Sequence, residues 1–304
     1  MFDPKVEAEK ISDLIKKRDK EGIMNFVVQF TSKQRLQIRN EYQVSYFTEL
    51  IEDINSAFHG HFKDSLKAMF HHPIEYDCFS LRDALKGIGT DEETLIEIIV
   101  TRPRYIIKKL IEIYPKKIEE GNLIEDIKSK TSGNFREVLL SLLNKERSEN
   151  NNPDIETCER MAKALYEEGD KIWGTDDSVF NKMITLQSPI EIAYISRAYH
   201  KLTGHTILQE MNSKFSGNNK KLLTSVFYAL ISPSEYFATR VNQAIKGLGT
   251  NDKLLIRIMV SRNEIDMPYI RQYYKQLFKK DMINEIKGDT SGYYEQLLVK
   301  LAEK

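Results

Sequence analysis

The sequence carries one pattern four times, and this repetition limits the possible folds more than any other feature. Lys-Gly-Ile-Gly-Thr at residues 86–90 returns as Lys-Gly-Leu-Gly-Thr at residues 246–250, and a variant, Trp-Gly-Thr, lies halfway between them at residues 173–175. A second glycine marker follows each of them and has a weaker fourth copy; its glycines are Gly60, Gly133, Gly217 and Gly292. Similarity at a near-constant spacing is typical of a chain built from repeated structural units.

Prolines give the same count of four. They are Pro4, Pro73, Pro153 and Pro233, at spacings of 69, 80 and 80 residues. Three of them follow a residue that can cap a helix, namely Asp3, Asn152 and Ser232. Because proline suits the first helical position, we predict that each proline begins the first helix of one repeat.

We therefore divide the chain into four repeats, at residues 1–71, 72–147, 148–231 and 232–304. The polar, charged stretch at residues 145–152 is the best candidate for a linker, because such segments often lie between domains. It would separate two halves of two repeats each.

Within a repeat, the apolar residues follow a helical period. Leu95, Ile98 and Ile99 of repeat two correspond to Leu255, Ile258 and Met259 of repeat four. The i, i+3, i+4 spacing predicts one apolar stripe on a helix, which Thr90 would cap with Glu93 completing a capping box. Glycines and prolines divide each repeat into about five short helices, and no alternating strand pattern competes, so we predict an all-α fold.

Composition places the chain among cytoplasmic globular proteins. Of its 304 residues, 41% are apolar and 30% are charged, and no apolar run approaches the ~20 residues that span a bilayer. We see no secretory signal, and two cysteines, Cys78 and Cys158, are too few for a disulfide scaffold and are expected in the core. The 45 basic residues balance the 45 acidic ones, which argues against nucleic-acid binding. Binding to an anionic surface would need another positive group as a bridge.

The paired glycine loops have the chemistry of a cation site. Two glycines one residue apart let the backbone curl, so that successive carbonyl oxygens point at one spot. In repeat four, Asp289 lies 42 residues after Gly247, in a second loop between the fourth and fifth helices. Loop carbonyls, one bidentate carboxylate and water would supply the six to eight oxygen ligands that calcium prefers.

With these loop pairs and the Trp-Gly-Thr variant, the chain resembles the annexin family over essentially its whole length. The resemblance implies four five-helix repeats in a slightly curved disc, with calcium as cofactor. It also implies calcium-dependent binding of acidic phospholipid membranes on the convex face, and a cytoplasmic protein that becomes peripheral at membranes when calcium rises. Only three residues precede Pro4, so we expect the N-terminal tail that regulates many annexins to be nearly absent.

The resemblance also implies which residues hold calcium. In repeat four they are the carbonyls of Ile245, Gly247 and Gly249 with the carboxylate of Asp289, and at a minor site the Thr250 carbonyl and Asp252. The weaker counterparts are Leu85, Gly87, Gly89, Thr90 and Glu92 in repeat two, and Gly169, Ile172, Gly174 and Asp177 in repeat three. Membrane contact is expected at Ile88, Trp173 and Leu248 and at the neighbouring Lys86 and Lys246.

Three repeats depart from this pattern at the acidic position. It holds Lys130 in repeat two, Lys214 in repeat three and Ala57 in repeat one, whose first loop also lacks the glycine pair. An ammonium group cannot ligate calcium, so we predict one intact main site, in repeat four. Repeats two and three would bind calcium weakly through carbonyls and water, or their lysines would contact lipid phosphate directly.

Other residues support ordinary structural roles. His59 and His61 lack partners at zinc spacing and are expected to be solvated, and Arg102 and Arg262, which end matching helices, are expected to make buried hydrogen bonds. No P-loop, zinc-protease or nucleophile-elbow motif occurs, so we expect neither catalysis nor a small-molecule substrate. One alternative is a calcium-independent helical scaffold associated with the cytoskeleton, with decayed sites. A weaker one is a solenoid adaptor of another family.

Overall fold

The structure is a computed structural model that describes residues 2–119, 121–145, 147–148, 150–168, 178–247 and 249–304, apart from the side chains of Asn218 and Asn219. Across these residues the regular structure consists of twenty α-helices, and no strand is present. The all-α class predicted from the sequence is confirmed. In the described ranges, no helix combines the length and the apolar character needed to cross a membrane.

Five helices fall in each predicted repeat. Repeat one contains α1 Pro4–Lys16, α2 Lys20–Val27, α3 Ser32–Tyr46, α4 Leu50–Ala57 and α5 Gly60–Phe70. Repeat two contains α6 Pro73–Leu85, α7 Glu92–Thr101, α8 Arg104–Lys117, α9 Leu123–Lys130 and α10 Gly133–Asn144. Repeat three contains α11 Ile155–Glu167, α12 Val179–Leu186, α13 Pro189–Thr203, α14 Ile207–Lys214 and α15 Gly217–Ile231. Repeat four contains α16 Pro233–Ile245, α17 Asp252–Arg262, α18 Met267–Phe278, α19 Met282–Asp289 and α20 Gly292–Ala302.

The repeats pair differently from the sequence prediction. One compact unit combines Met1–Tyr76 with Ser234–Lys304, and the other is Asp77–Pro233. In the first unit α5 packs on α17 and α20; in the second, α15 packs on α7 and α10. Repeat one therefore belongs with repeat four, and repeat two with repeat three, so the prediction of two sequence-adjacent halves was wrong.

The polar stretch proposed as a linker lies inside the second unit. Its Ser148 N–H donates to the Leu186 carbonyl at 2.7 Å, which ties the stretch to helix α12. A polar composition indicates a solvated connection between helices. The division into domains depends instead on which apolar helix faces pack together.

Three of the four prolines begin a helix as predicted: Pro4, Pro73 and Pro233. The fourth prediction was wrong, because α11 begins at Ile155 and Asp154 is its N-cap. The Asp154 side chain accepts the Glu156 N–H at 3.2 Å. Because Asp154 lies nearer to the helix than Asn152, its carboxylate satisfies the free N–H groups that Asn152 was expected to cap.

The predicted cap of α7 was also wrong by one residue. Asp91, not Thr90, is the N-cap, and its carboxylate accepts the Thr94 N–H at 3.0 Å. This leaves the Thr90 hydroxyl available for a different contact, in which it donates to the Lys130 carbonyl at 2.8 Å.

The predicted apolar stripes lie in the cores of their units. Leu95, Ile98 and Ile99, and likewise Leu255, Ile258 and Met259, are at most 2% exposed. Burial of each such side chain contributes about 1.5–3 kcal/mol to folding. Cys78 and Cys158 are buried free thiols, as the core assignment predicted.

Two arginines make carboxylate hydrogen bonds at matching helix ends, as predicted; Arg262 is buried and Arg102 is half-buried. Arg102 follows α7 and donates from Nε and Nη2 to both carboxylate oxygens of Asp77, at 2.8 and 2.9 Å. Arg262 ends α17 and bonds Asp266 from Nε and Nη2, each at 2.8 Å. Bidentate pairing satisfies the guanidinium and the carboxylate together, which lets both be buried.

We expect Arg102→Met to lower the free energy of unfolding by about 3–5 kcal/mol, because it leaves the Asp77 carboxylate, 3% exposed, without its partner. Lys116→Met in the same repeat breaks an exposed pair with Glu112, which solvent screens, and should leave the unfolding midpoint nearly unchanged. Urea unfolding followed by circular dichroism measures both. Equal midpoints for the two variants would contradict the structural role of Arg102.

Candidate functional site

The two complete glycine loops connect the first and second helices of repeats two and four. Gly87 and Gly89 have φ angles of 93° and 88°, and Gly247 and Gly249 have φ angles of 137° and 88°. Side chains at these positions would meet open space, so the glycines are needed for their left-handed backbone and not for room. The predicted loop position between the first two helices is confirmed.

The same hydrogen bond closes both loops at their base. In repeat two the Asp91 N–H donates to the Ala84 carbonyl at 3.0 Å, and in repeat four the Asn251 N–H donates to the Ala244 carbonyl at 2.7 Å. Matching closures, and the matching angles of Gly89 and Gly249, give the two loops equivalent backbone connections at their ends.

The second connection of repeat four brings a carboxylate to the first loop. Asp289 is the last residue of α19, one position before the loop in which it was predicted, and it is half-buried. The Thr250 hydroxyl donates to Asp289 Oδ2 at 2.6 Å and lies 3.1 Å from the Asp289 carbonyl oxygen. Residues 39 apart in sequence thus place one full negative charge beside the glycine loop.

Repeat two has the same connection but the opposite charge. The Thr90 hydroxyl donates to the backbone carbonyl of Lys130, the residue in the position of Asp289. The Lys130 ammonium in turn donates to the Gly87 carbonyl at 3.2 Å. A cation belonging to the chain therefore already occupies one of the carbonyls that the resemblance assigned to calcium.

A second carboxylate cluster borders the repeat-four loop. Asp252, the first residue of α17, is half-buried and lies 3.2 Å from His61 Nε2. Burial raises the pKa of the Tyr294 hydroxyl, and the carboxylates of Asp252, Asp289 and Asp64 raise it further. The predicted minor-site carboxylate is therefore in contact with repeat one.

Sequence reasoning missed this contribution from repeat one. His61 lies between Asp64, at 3.6 Å, and Asp252, and its side chain is 53% exposed, so the expectation of a solvated histidine holds only in part. The paired carboxylates are far apart in sequence, and only the packing of α5 on α17 and α20 brings them together. Across the described residues, no three His, Cys, Asp or Glu side chains converge as a metal site, so a metal here would depend on carbonyl oxygens.

The remaining predicted site residues have the following positions. Ile88 is fully exposed and Leu85 is buried. The exposed residues are Lys86, Lys246, Gly87, Gly89, Gly247 and Gly249, and the half-buried ones are Ile245, Thr250, Thr90 and Glu92. Residues Gly169, Ile172, Trp173, Gly174, Asp177 and Leu248 lie outside the described residues. Lys214 of repeat three has its ammonium 3.6 Å from the Glu210 carboxylate.

Repeat one has no equivalent glycine loop. Its first two helices are joined by residues 17–19, where Arg18 has a φ of 51° and Asp19 caps α2 by accepting the Gly22 N–H at 2.9 Å. Ala57, at the acidic position, supplies no oxygen ligand from its side chain. The prediction that repeat one is degenerate agrees with this local structure.

The fold and these loop pairs define a class of proteins made of four five-helix repeats, in which glycine loops join the first two helices of some repeats. The Annexin family model matches residues 7–69, 76–142, 160–226 and 236–301. The chain belongs to the annexin family.

Individual relatives extend this result over the whole chain. Annexin A11 of Homo sapiens is 35% identical over 302 residues, covering 99% of this chain and 60% of the relative, so the chain spans about 60% of that relative's length. The structure of annexin III matches with a TM-score of 0.93 and 33% identity, covering 100% of this chain and 94% of the other. A calcium-bound annexin (Sm)1 structure matches with a TM-score of 0.89 and 27% identity, covering 100% and 91%.

The donor set of repeat four fits a hard cation, whereas that of repeat two does not. Neutral carbonyl oxygens and one carboxylate are the ligands that calcium takes in proteins. At repeat two, the Lys130 ammonium is a positive charge on the Gly87 carbonyl, which would repel a divalent cation.

The contact between Thr250 and Asp289 leads to a test. Thr250→Val keeps the shape of the side chain and the main-chain carbonyl but loses the hydroxyl that positions the carboxylate. We expect the half-maximal calcium concentration for liposome binding to rise about three- to tenfold, because a typical hydrogen bond contributes about 0.5–1.5 kcal/mol.

Two further variants serve as controls for Thr250→Val. Thr250→Ser keeps the hydroxyl and should restore near-original binding. Thr90→Val removes the equivalent hydroxyl in repeat two, where no carboxylate is held, and should leave the calcium dependence unchanged. Equal shifts in Thr250→Val and Thr90→Val would contradict the positioning role.

Proposed function

We propose that this annexin binds acidic phospholipid membranes in a calcium-dependent way, mainly through the loop pair of repeat four. Its membership in the annexin family and its likeness to a calcium-bound annexin structure support calcium and phospholipid binding in general. The observation that carries the assignment to repeat four is the Asp289 carboxylate, which lies against the Thr250 hydroxyl at 2.6 Å.

In this proposal the carbonyls of Ile245, Gly247 and Gly249 and the carboxylate of Asp289 hold the calcium ion. A bound calcium ion supplies the positive charge that lipid phosphate needs. The carbonyl oxygens of the glycine loop are neutral, so Asp289 is the only ligand of the chain that neutralises part of the calcium charge. The occupied site would therefore keep a net positive charge facing the membrane. Anionic lipid then completes the coordination, and calcium and membrane each tighten the binding of the other.

Local charge supports this assignment. Asp64, Asp252 and Asp289 all lie close enough to Tyr294 to raise the pKa of its hydroxyl, so three carboxylates gather on the helices that border the repeat-four loop. The chain as a whole has a net charge of zero, with 45 basic and 45 acidic residues. Attraction to an anionic membrane therefore depends on the bound cation and not on the protein's own net charge.

Affinity for calcium without lipid should be low. Sites with few charged ligands bind calcium with dissociation constants of about 10⁻⁴–10⁻³ M. The exposed tip residue Ile88, with Leu248 and Trp173 at the equivalent positions, would enter the lipid interface, and a fully buried tip side chain would add about 1.5–3 kcal/mol. The protein would act in the cytoplasm as a binding module and not as an enzyme.

Two observations favour the alternative of a calcium-independent scaffold, associated with the cytoskeleton. Lys130 occupies a loop carbonyl in repeat two, and repeat one lacks the loop entirely. This alternative keeps the fold but gives the loops no calcium-dependent role, so a single binding measurement separates the two functions.

At physiological salt we expect the protein to pellet with phosphatidylserine liposomes in calcium and to be largely released by a chelator, because calcium supplies the main bridge. Sedimentation with and without calcium, and with neutral phosphatidylcholine liposomes as control, measures this. Strong pelleting that a chelator leaves unchanged would reject the calcium bridge and support the scaffold.

We expect Asp289→Ala to raise the half-maximal calcium concentration for liposome binding tenfold or more, because loss of a charged ligand costs at least about 1.4 kcal/mol. Folding should be nearly unaffected, since the residue lies at a surface helix end. Glu9→Ala, an exposed residue of α1, makes the same charge change away from the loops and should leave the curve in place. Coincident curves for both variants in folded protein would remove Asp289 from the site.

A further inference from the structure

The loop pair of repeat two carries a positive charge of its own. Lys130 is exposed at the last position of α9, and its ammonium donates to the Gly87 carbonyl at 3.2 Å across 43 residues of sequence. Gly87 lies in the glycine loop, at the position equivalent to the proposed calcium ligand Gly247. A lysine that merely faces solvent would not be held on this oxygen.

The backbone places Lys130 where repeat four has its acid. In repeats two and four, the threonine that follows the glycine pair donates its hydroxyl to a backbone carbonyl, that of the residue before the second connection. The distances are 2.8 Å in repeat two and 3.1 Å in repeat four. The two loop pairs therefore share a backbone contact and differ in the side chain that it positions. In repeat four that side chain attracts a cation, and in repeat two it is the cation.

The Lys130 ammonium has donors left for a ligand. An ammonium group carries three N–H bonds, and within the described part of the chain its hydrogen bond to Gly87 uses one. The other two can reach an anion above the loop. The exposed Lys86 adds a second positive charge to the same loop.

The loop tip indicates where the anion comes from. Ile88 lies between the two glycines and is fully exposed, with a relative exposure of 110%. A free phosphate ion gains nothing from an apolar side chain beside it, whereas a lipid surface offers both a phosphate layer and an apolar interior. The combination of ammonium and exposed isoleucine fits a phospholipid headgroup.

We propose that Lys130 takes the place of calcium in repeat two, joining the Gly87 carbonyl to the phosphate of an anionic phospholipid without any metal. The inference rests on the proposed function, because the phosphate belongs to the membrane that repeat four would engage through calcium. It adds a second, calcium-independent contact to that function.

The test uses the full chain and vesicles of phosphatidylglycerol in phosphatidylcholine, whose anionic lipid carries phosphate as its only charge. In a chelator at low salt, the original protein should bind these vesicles more than vesicles of phosphatidylcholine alone. Lys130→Glu should weaken this binding at least about fivefold, since one basic residue near an anionic surface contributes about this much and the variant also adds repulsion. Lys128→Glu is the matched control, because it makes the same charge change on the same helix, where Lys128 pairs with Glu125; its effect should stay below about twofold.

Calcium should reverse the effect of the Lys130 variant. Lys130→Glu restores an acid beside the glycine loop, so its half-maximal calcium concentration should fall below that of the original protein, while Lys128→Glu shows no such fall. A variant that loses binding in chelator and gains calcium sensitivity marks the position of Lys130 specifically. Circular dichroism confirms that both variants are folded.

Three results would overturn the inference. One is equal binding of Lys130→Glu and Lys128→Glu in chelator, and another is the absence of any chelator-resistant preference for phosphatidylglycerol. The third result has two parts: inorganic phosphate displaces the protein from the vesicles much more than chloride does at equal ionic strength, and Lys130→Glu loses no vesicle binding. That result would place the lipid contact elsewhere. Failure of the proposed function would give a different result. Asp289→Ala would then leave vesicle binding in calcium unchanged, independently of how Lys130→Glu affects binding in chelator.

Discussion

One contact between two loops positions the charged side chain on which the proposed binding of each described glycine loop depends. A threonine hydroxyl at the end of the first loop bonds the residue before the second connection, as Thr250 does with Asp289 and Thr90 with Lys130. This contact needs no particular side chain at the second position, because the backbone carbonyl is within reach of the hydroxyl in both repeats. The same local fold therefore places either a carboxylate or an ammonium group beside the loop carbonyls.

In our proposal, the charge at that one position decides how the loop binds an anionic surface. With Asp289, the loop would take a cation from solution under the proposed function, so its contact with phosphate would depend on calcium. With Lys130, the cation is covalently part of the chain and rests on the Gly87 carbonyl at 3.2 Å. An annexin with both arrangements would combine a regulated contact with a constant one while its net charge stays at zero.

Much of the fold could be predicted from the sequence, because the repeats and the helical period are local signals. The apolar stripes, the carboxylate bonds of Arg102 and Arg262 and the position of the glycine loops followed from spacing alone. The pairing of repeat one with repeat four did not, because it depends on the apolar faces of α5 and α17, which are far apart in sequence. Two helix starts were also misplaced, at Asp154 and Asp91, where a carboxylate nearer the helix replaced the expected cap.

The candidate site was predictable in part for the same reason. The pairing of Asp289 with its loop came from the repeat spacing, but the approach of His61 to Asp252 and of Lys130 to Gly87 came only from the structure. The most direct test of the central claim is a crystal structure of the full chain grown in calcium. We predict a calcium ion at full occupancy against Asp289 and the loop of repeat four, with the Lys130 ammonium still on the Gly87 carbonyl. A calcium ion bound at the repeat-two loop, with none at Asp289, would contradict this account.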